Sequence, residues 1–240
     1  MDIATTALFL GVVLIADLVG TIAGFGTATT LTPAAGWFFD LKSAILVVAI
    51  LHIVSNAFKV ALFRRVHWEV FIPFGAASVV ASFAGAQVWA KADASALEMF
   101  LGLFLIGYSA YSLTHKFITM PPKLRVALGG GIASGLSAGI LGTGGALRAM
   151  FLNAFTLHKE SYVATAALLA IVTDITRIPI YLQNGVAVGG RLLSIVALAA
   201  PVSFLGTWLG RRLVAVIPVA AFRQVVLMAL LLVGIKLVFW

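Results

Sequence analysis

Six apolar runs dominate the hydropathy pattern, at residues 43–63, 70–90, 96–113, 162–183, 192–209 and 219–239, and none holds more than two charged residues. Each is roughly 18 to 22 residues long, the length of helix that crosses about 30 Å of hydrocarbon. A membrane β-barrel would show alternating segments of about 10 residues instead. A longer, glycine-broken apolar stretch precedes the first run and another precedes the fourth. Residues 3–39 as one straight helix would rise about 55 Å, nearly twice the thickness of the hydrocarbon core. The opening stretch must therefore tilt and break, re-enter the membrane, or cross it twice.

The two broken stretches match one another. Residues 20–33 read GTIAGFGTATTLTP and residues 135–147 read GLSAGILGTGGAL. Both hold a Gly-x-x-x-Gly pair, Gly20 with Gly24 and Gly135 with Gly139, followed by a Gly-Thr step at Gly26-Thr27 and Gly142-Thr143. The correspondence continues. Leu41-Lys42-Ser43 aligns with Leu157-His158-Lys159, and Ser55 to Lys59 aligns with Thr173 to Arg177. Gly85 aligns with Gly206, and Gly107 with Gly234. The pattern predicts an all-α polytopic membrane protein of two homologous repeats, each with about four hydrophobic segments and each opening with a glycine-broken or re-entrant helix pair. The repeats span residues 1–114 and 126–240, joined by a basic linker at 115–125 that contains Pro121-Pro122. Broken helices at matching positions of two halves point to a transport site.

Loop charge bears on topology. If each opening stretch crosses once, seven basic residues fall on one face and six on the other, and orientation is barely specified. If each returns to the face it left, one face carries Arg64, Arg65, Lys116, Lys123, Arg125, Lys159, Arg211, Arg212 and Arg223, nine against four. The second counting satisfies the positive-inside bias better. It makes the halves inverted, puts both termini outside and the linker in the cytoplasm, and suits alternating access.

Composition agrees with membrane residence: 62% of residues are hydrophobic and 10% charged, against about 25% charged in a soluble domain, with a mean hydropathy of +1.13. The net charge of +8 lies in single or paired loop residues without a basic stripe or stacking platform, so nucleic acid is not an expected partner. The start, MDIATTALFL, lacks a basic n-region, and no cleavage is expected. The absence of cysteine excludes disulfides and thiol chemistry from this chain. His52, His67, His115 and His158 are scattered, and no soluble strand–turn–helix unit surrounds the glycines. Neither an enzyme, a metal site nor a cofactor is expected.

Asp17, Lys59, Asp174 and Arg177 fall inside apolar segments. Facing lipid, they would together cost roughly 10 kcal/mol, so they must face the bundle interior, pair, or line a wet cavity. Asn56 and Lys59 are three apart, as are Asp174 and Arg177, so each pair shares a helix face. The repeat relation would set Lys59 and Arg177 on opposite sides of one cavity. The alternatives are a local Asp174–Arg177 ion pair and a snorkelling Lys59. Exposed N–H groups at an unwound segment and a half-helix N-terminus attract anions, and Arg148, directly after Gly144-Gly145, would complete such a nest. The candidate anion contacts are Gly24, Gly26, Thr27, Thr29, Asn56, Lys59, Gly142, Thr143, Gly144, Gly145, Arg148 and Arg177. Asp17, His52 and Asp174 are candidates for carrying a coupled proton. Pro33 is expected at a helix restart or kink. The small residues Gly131, Gly135 and Gly139, and Gly206 with Gly210, are expected at close helix contacts.

The duplicated motif, GFGTATTLTP at 24–33 and GILGTGGALRAMFL at 139–152, resembles that of the TauE/SafE family of sulfite exporters and related permeases, as does the four-plus-four plan with its charged linker. The resemblance covers essentially the whole chain. It implies a bacterial inner-membrane transporter of small anions such as sulfite, sulfonates or sulfoacetate, driven by an ion gradient with a proton or sodium ion as the coupling ion. A passive anion channel and a non-transporting membrane scaffold are the competing readings of the same residues.

Overall fold

The computed structural model describes residues 2–23, 26–114, 123–152, 155, 157–185, 190–213 and 219–239. These form ten helices: α1 (Ile3–Ala23), α2 (Thr27–Ala35), α3 (Leu41–Phe63), α4 (Trp68–Lys91), α5 (Ala94–Thr114), α6 (Leu124–Leu141), α7 (Gly145–Leu152), α8 (Lys159–Gln183), α9 (Gly190–Leu213) and α10 (Val219–Phe239). Seven of them, α1, α3 to α6, α8 and α9, are long and apolar enough to cross a membrane. The order of lengths is the same twice over, with one long helix, one short helix and three long helices.

Local chemistry sets the breaks. Gly26, which precedes α2, has φ 86° and ψ 151°, a region open essentially to glycine alone. Gly142 ends α6 at φ 72°, its N–H donating to the Ala138 carbonyl, as a left-handed glycine cap does. The α3 helix starts where the Asp40 carboxylate accepts from the Ser43 N–H at 3.0 Å, an N-cap that satisfies one orphan donor. Partial burial pushes the Asp40 carboxyl up, but the Ser43 hydrogen bonds outweigh it and hold the group below its ordinary value. Pro33 lies inside α2, so the restart precedes it by six residues; glycine backbone freedom, and not the proline, makes the break.

The helices pack as α1 on α9, α4 on α6, α3 on α8, α5 on α10, α3 on α9 and α4 on α8. Glycine allows the closest of these approaches. A Cβ on Gly135 or Gly139 would stand 2.5 Å from the Ser78 or Ser82 carbonyl, and one on Gly206 would stand 2.8 Å from the Leu14 carbonyl. The expected close contacts are therefore present between α6 and α4, and between α9 and α1.

Contacts near the helix termini define two ends of the bundle. At one, Arg211 lies over the Phe63 ring, Arg65 meets Glu160 at 3.7 Å, and the His67 N–H donates to the Thr165 hydroxyl. At the other, Lys42 lies over Trp89 and Lys236 over Trp37.

Candidate functional site

Both short helices fold back along the long helix that precedes them. A Cβ on Gly20 would stand 2.5 Å from the Thr27 nitrogen, so α2 begins beside the last turn of α1. The chain after α2 then reaches the level of Phe9, whose ring packs edge-on against Phe38 and Phe39 with centroids 5.3 and 5.4 Å away. Likewise the Ser137 hydroxyl donates to the Thr143 carbonyl, and Phe151 returns to Gly130. Each opening stretch thus goes out and comes back.

The two breaks meet. The Thr143 hydroxyl donates to that of Thr29 at 3.1 Å, and the Thr32 hydroxyl donates to the Gly142 carbonyl at 3.3 Å. Gly26 and Gly145 are close enough that a Cβ on Gly26 would touch the Gly145 Cα at 3.7 Å. The N-termini of α2 and α7 therefore converge, and a cavity of about 40 Å³ lies where they do, lined by Gly26, Gly145, His52, Asn56, Lys59 and Arg148, with Tyr162 and Ala166 from α8. The first N–H groups of each helix lack intrahelical acceptors, and both macrodipoles present their positive ends here. The cavity exceeds the about 10–15 Å³ that a single water needs, so a small polar group can enter it.

Five buried charges surround it among the described residues: Asp17, Lys59, Arg148, Asp174 and Arg177. Asp17 accepts from the hydroxyls of Thr27, Ser55 and Ser203, and Lys59 Nζ stands 4.0 Å from its Oδ1 and 2.9 Å from the Thr27 hydroxyl. Asp174 receives Arg177 Nε at 2.8 Å and a terminal guanidinium nitrogen at 2.7 Å on Oδ1, and His52 Nδ1 at 2.8 Å on Oδ2. The remaining donors of Arg177 reach the Ala138 carbonyl at 2.7 Å and the Gly142 carbonyl at 3.5 Å, while the Tyr181 hydroxyl donates to the Gly139 carbonyl at 2.6 Å. Arg177 and Tyr181 together cap the C-terminus of α6.

Arg148 is different. It is 4% exposed and donates to the Ala166 carbonyl at 3.3 Å, its Nε has no partner, and no described carboxylate lies within ion-pairing distance of it. Three buried cations against two buried carboxylates leave one positive charge over, on the cavity wall. A buried, uncompensated cation is costly, and an anion in the cavity would offset that cost.

Of the residues singled out by sequence, Gly26, His52, Asn56, Lys59, Gly145 and Arg148 line the cavity. Thr27, Thr29, Gly142, Thr143 and Gly144 build the breaks around it. Asp17, Asp174 and Arg177 lie outside its lining in their own networks, and Gly24 lies outside the described residues. Lys59 and Arg177 do not face one another across the cavity: Arg177 is turned onto Asp174 and the α6 carbonyls, and Arg148 takes the position facing Lys59. Lys59 does not snorkel; it is 4% exposed, held by Thr27 and Asp17. Sequence reasoning missed Ser203, Tyr181 and Tyr162. The only signal for Ser203 was a hydroxyl two residues after Pro201 in an apolar run, and Tyr181 follows Arg177 by four, one turn along the same face.

No curated protein and no solved structure matches the chain. The family model described as sulfite exporter TauE/SafE matches residues 8–237, nearly the whole length, with both breaks, the cavity and every buried charge inside the match. By that match, and with its seven apolar helices long enough to cross a membrane, the chain belongs to the TauE/SafE sulfite exporter family of membrane transporters.

Proposed function

We propose that this chain is a secondary transporter that moves a small, sulfite-sized oxyanion through the cavity between the two breaks by alternating access. The observation that carries this reading is Arg148, buried, without a carboxylate partner and with an orphaned Nε, between two half-helix N-termini. Backbone N–H groups near Gly26 and Gly145 and the side chains of Asn56, Lys59 and Arg148 supply donors to the anion's oxygens. A small cavity with these donors suits a compact oxyanion such as sulfite.

Alternating access rests on reading residues 1–114 and 126–240 as inverted repeats joined by the basic linker at 115–125. Exchange of the halves pairs α1 with α6, α3 with α8, α4 with α9 and α5 with α10. It turns the α1–α9 packing into α6–α4 and α3–α9 into α8–α4, and leaves α3–α8 and α5–α10 in place; all of these packings occur. It also matches the Lys59 bond to Thr27 with the Arg177 bond to Gly142, each a cation anchoring the break of its own half. The end marked by Arg65, Lys159 and Arg211 is the more basic one and is assigned to the cytoplasm.

The test is flux of sulfite into proteoliposomes of purified protein, with and without an imposed pH gradient. Accumulation above equilibrium, lost in Arg148→Gln, is the expected result. Equilibration without accumulation would make the protein a channel, and absence of flux from folded protein would remove the reading.

A further inference from the structure

Three groups near the cavity are candidates for handling a proton, and their bonding separates them. Asp174 is engaged at both oxygens, by Arg177 and by His52. Asp17 is engaged by three hydroxyls and Lys59. Neither carboxylate lines the cavity. His52 does, and its two ring nitrogens face different surroundings. Nδ1 meets Asp174 Oδ2 at 2.8 Å. That carboxylate is ionised against Arg177 and only accepts, so this bond places the ring hydrogen on Nδ1. Nε2 is left as the acceptor of the neutral ring, and it points at the gap between the half-helices, where a Cβ on Gly26 would lie 3.9 Å from it.

We propose that one proton is shared between His52 Nε2 and the bound anion, so that the site takes an oxyanion whose proton titrates near neutral pH, as sulfite's does. This rests on the anion-transport reading of the same cavity. The charges that face His52 make one proton per dianion the balanced load. Lys59 is compensated by Asp17, and Arg177 by Asp174; Arg148 has no described carboxylate within ion-pairing distance and meets Asp174 only at longer range, and Tyr162 lines the same cavity. With a neutral His52, the surplus of one positive charge matches a singly protonated oxyanion, whose O–H donates to Nε2. With the proton moved to Nε2, the O–H bond is broken, an N–H bond is formed, and the imidazolium with Arg148 matches the dianion. The two states differ only in where the proton sits. An oxyanion with no such proton, nitrate or a sulfonate, leaves Nε2 without a donor and its lone pair against the anion's own.

The experiment compares sulfite with nitrate, which has the same number of heavy atoms, and with methanesulfonate. Proteoliposomes carry a pH-sensitive dye, and the wild-type protein in detergent is titrated with each anion in buffers of different ionisation enthalpy. The expected result is one proton moved with each sulfite. Nitrate and methanesulfonate should bind roughly 10- to 100-fold more weakly, the worth of one charge-assisted hydrogen bond. In His52→Gln, sulfite flux should lose its proton and its pH dependence should flatten. Wild-type protein that binds nitrate as tightly as sulfite, or binds sulfite with no proton linkage, would overturn the inference without recourse to a variant. An unchanged pH profile and proton count in His52→Gln would also overturn it, and would leave anion transport itself standing. Absence of sulfite flux in folded wild type would instead remove the underlying reading, and this one with it.

Discussion

The hydroxyl of Thr143 donates to the hydroxyl of Thr29 across 3.1 Å, joining the two broken segments over 114 residues of sequence. Through this contact, and the Thr32 bond to Gly142 beside it, the two half-helix N-termini are held facing one cavity. Interhelical hydrogen bonds in membranes are worth about 0.6 kcal/mol on average. Thr143→Val is therefore expected to cost no more than about 1 kcal/mol of stability while slowing sulfite flux. Unfolding in mixed detergent micelles and proteoliposome flux, measured on one preparation, check the split.

Arg148 and Arg177 are both buried arginines, and truncating them should have opposite effects on stability. Arg148→Met removes a buried donor that lacks a partner, so the fold should gain about 1–3 kcal/mol as anion flux is lost. Thermal unfolding in detergent together with flux measures both. A loss of stability in Arg148→Met would show that this side chain serves the fold.

Arg177→Met should do the reverse. It leaves Asp174 buried without its cation and uncaps the carbonyls of Ala138 and Gly142, at a cost of about 3–5 kcal/mol. The readout is the denaturation midpoint, and an effect below about 1 kcal/mol would remove the capping role.

Asp17 and Lys59 form a second such unit. Asp17→Asn alone strands Lys59, and Lys59→Met alone strands Asp17, each costing about 3–5 kcal/mol. The double variant should recover part of this, with a coupling of at least about 1 kcal/mol in a double-mutant cycle. Additive losses would show that the hydroxyls of Thr27, Ser55 and Ser203, and not Lys59, satisfy the carboxylate.

Gly139→Ala would drive a Cβ to 2.5 Å from the Ser82 carbonyl and 2.8 Å from the Ala86 nitrogen. Both are backbone atoms of α4 that cannot rotate away, so about 1–3 kcal/mol should be lost. Gly107→Ala is the matched control: nothing lies within 4 Å of the added carbon, and removing a helical glycine should add about 0.5–1 kcal/mol. Equal effects at the two positions would count against close packing of α6 on α4.

Much of the fold was legible because its signals are local. The apolar runs at 43–63, 70–90 and 162–183 became α3, α4 and α8, since a run of that length in lipid must satisfy its own backbone as helix. The breaks fell at Gly26 and Gly142 because their positive φ excludes most side chains. Charge counting favoured opening stretches that return to the face they left, and α2 and α7 do fold back. Pro33 was expected at a helix restart or a kink; the restart lies six residues earlier, at Thr27, and Pro33 falls inside α2.

The sequence by itself determined that the chain lives in a membrane as helices, where its two breaks lie, and that Asp17, Lys59, Asp174 and Arg177 cannot face lipid. Those conclusions depend on transfer free energies and backbone sterics, which act one residue or one turn at a time. Only the tertiary structure decided which cation faces the cavity. Arg177 finds Asp174 one turn back on its own helix and the end of α6 beside it, whereas Arg148, six residues after Gly142, has no described carboxylate within ion-pairing distance. A buried charge's role depends on which partners lie within about 4 Å, and that distance is set by helices far apart in the chain.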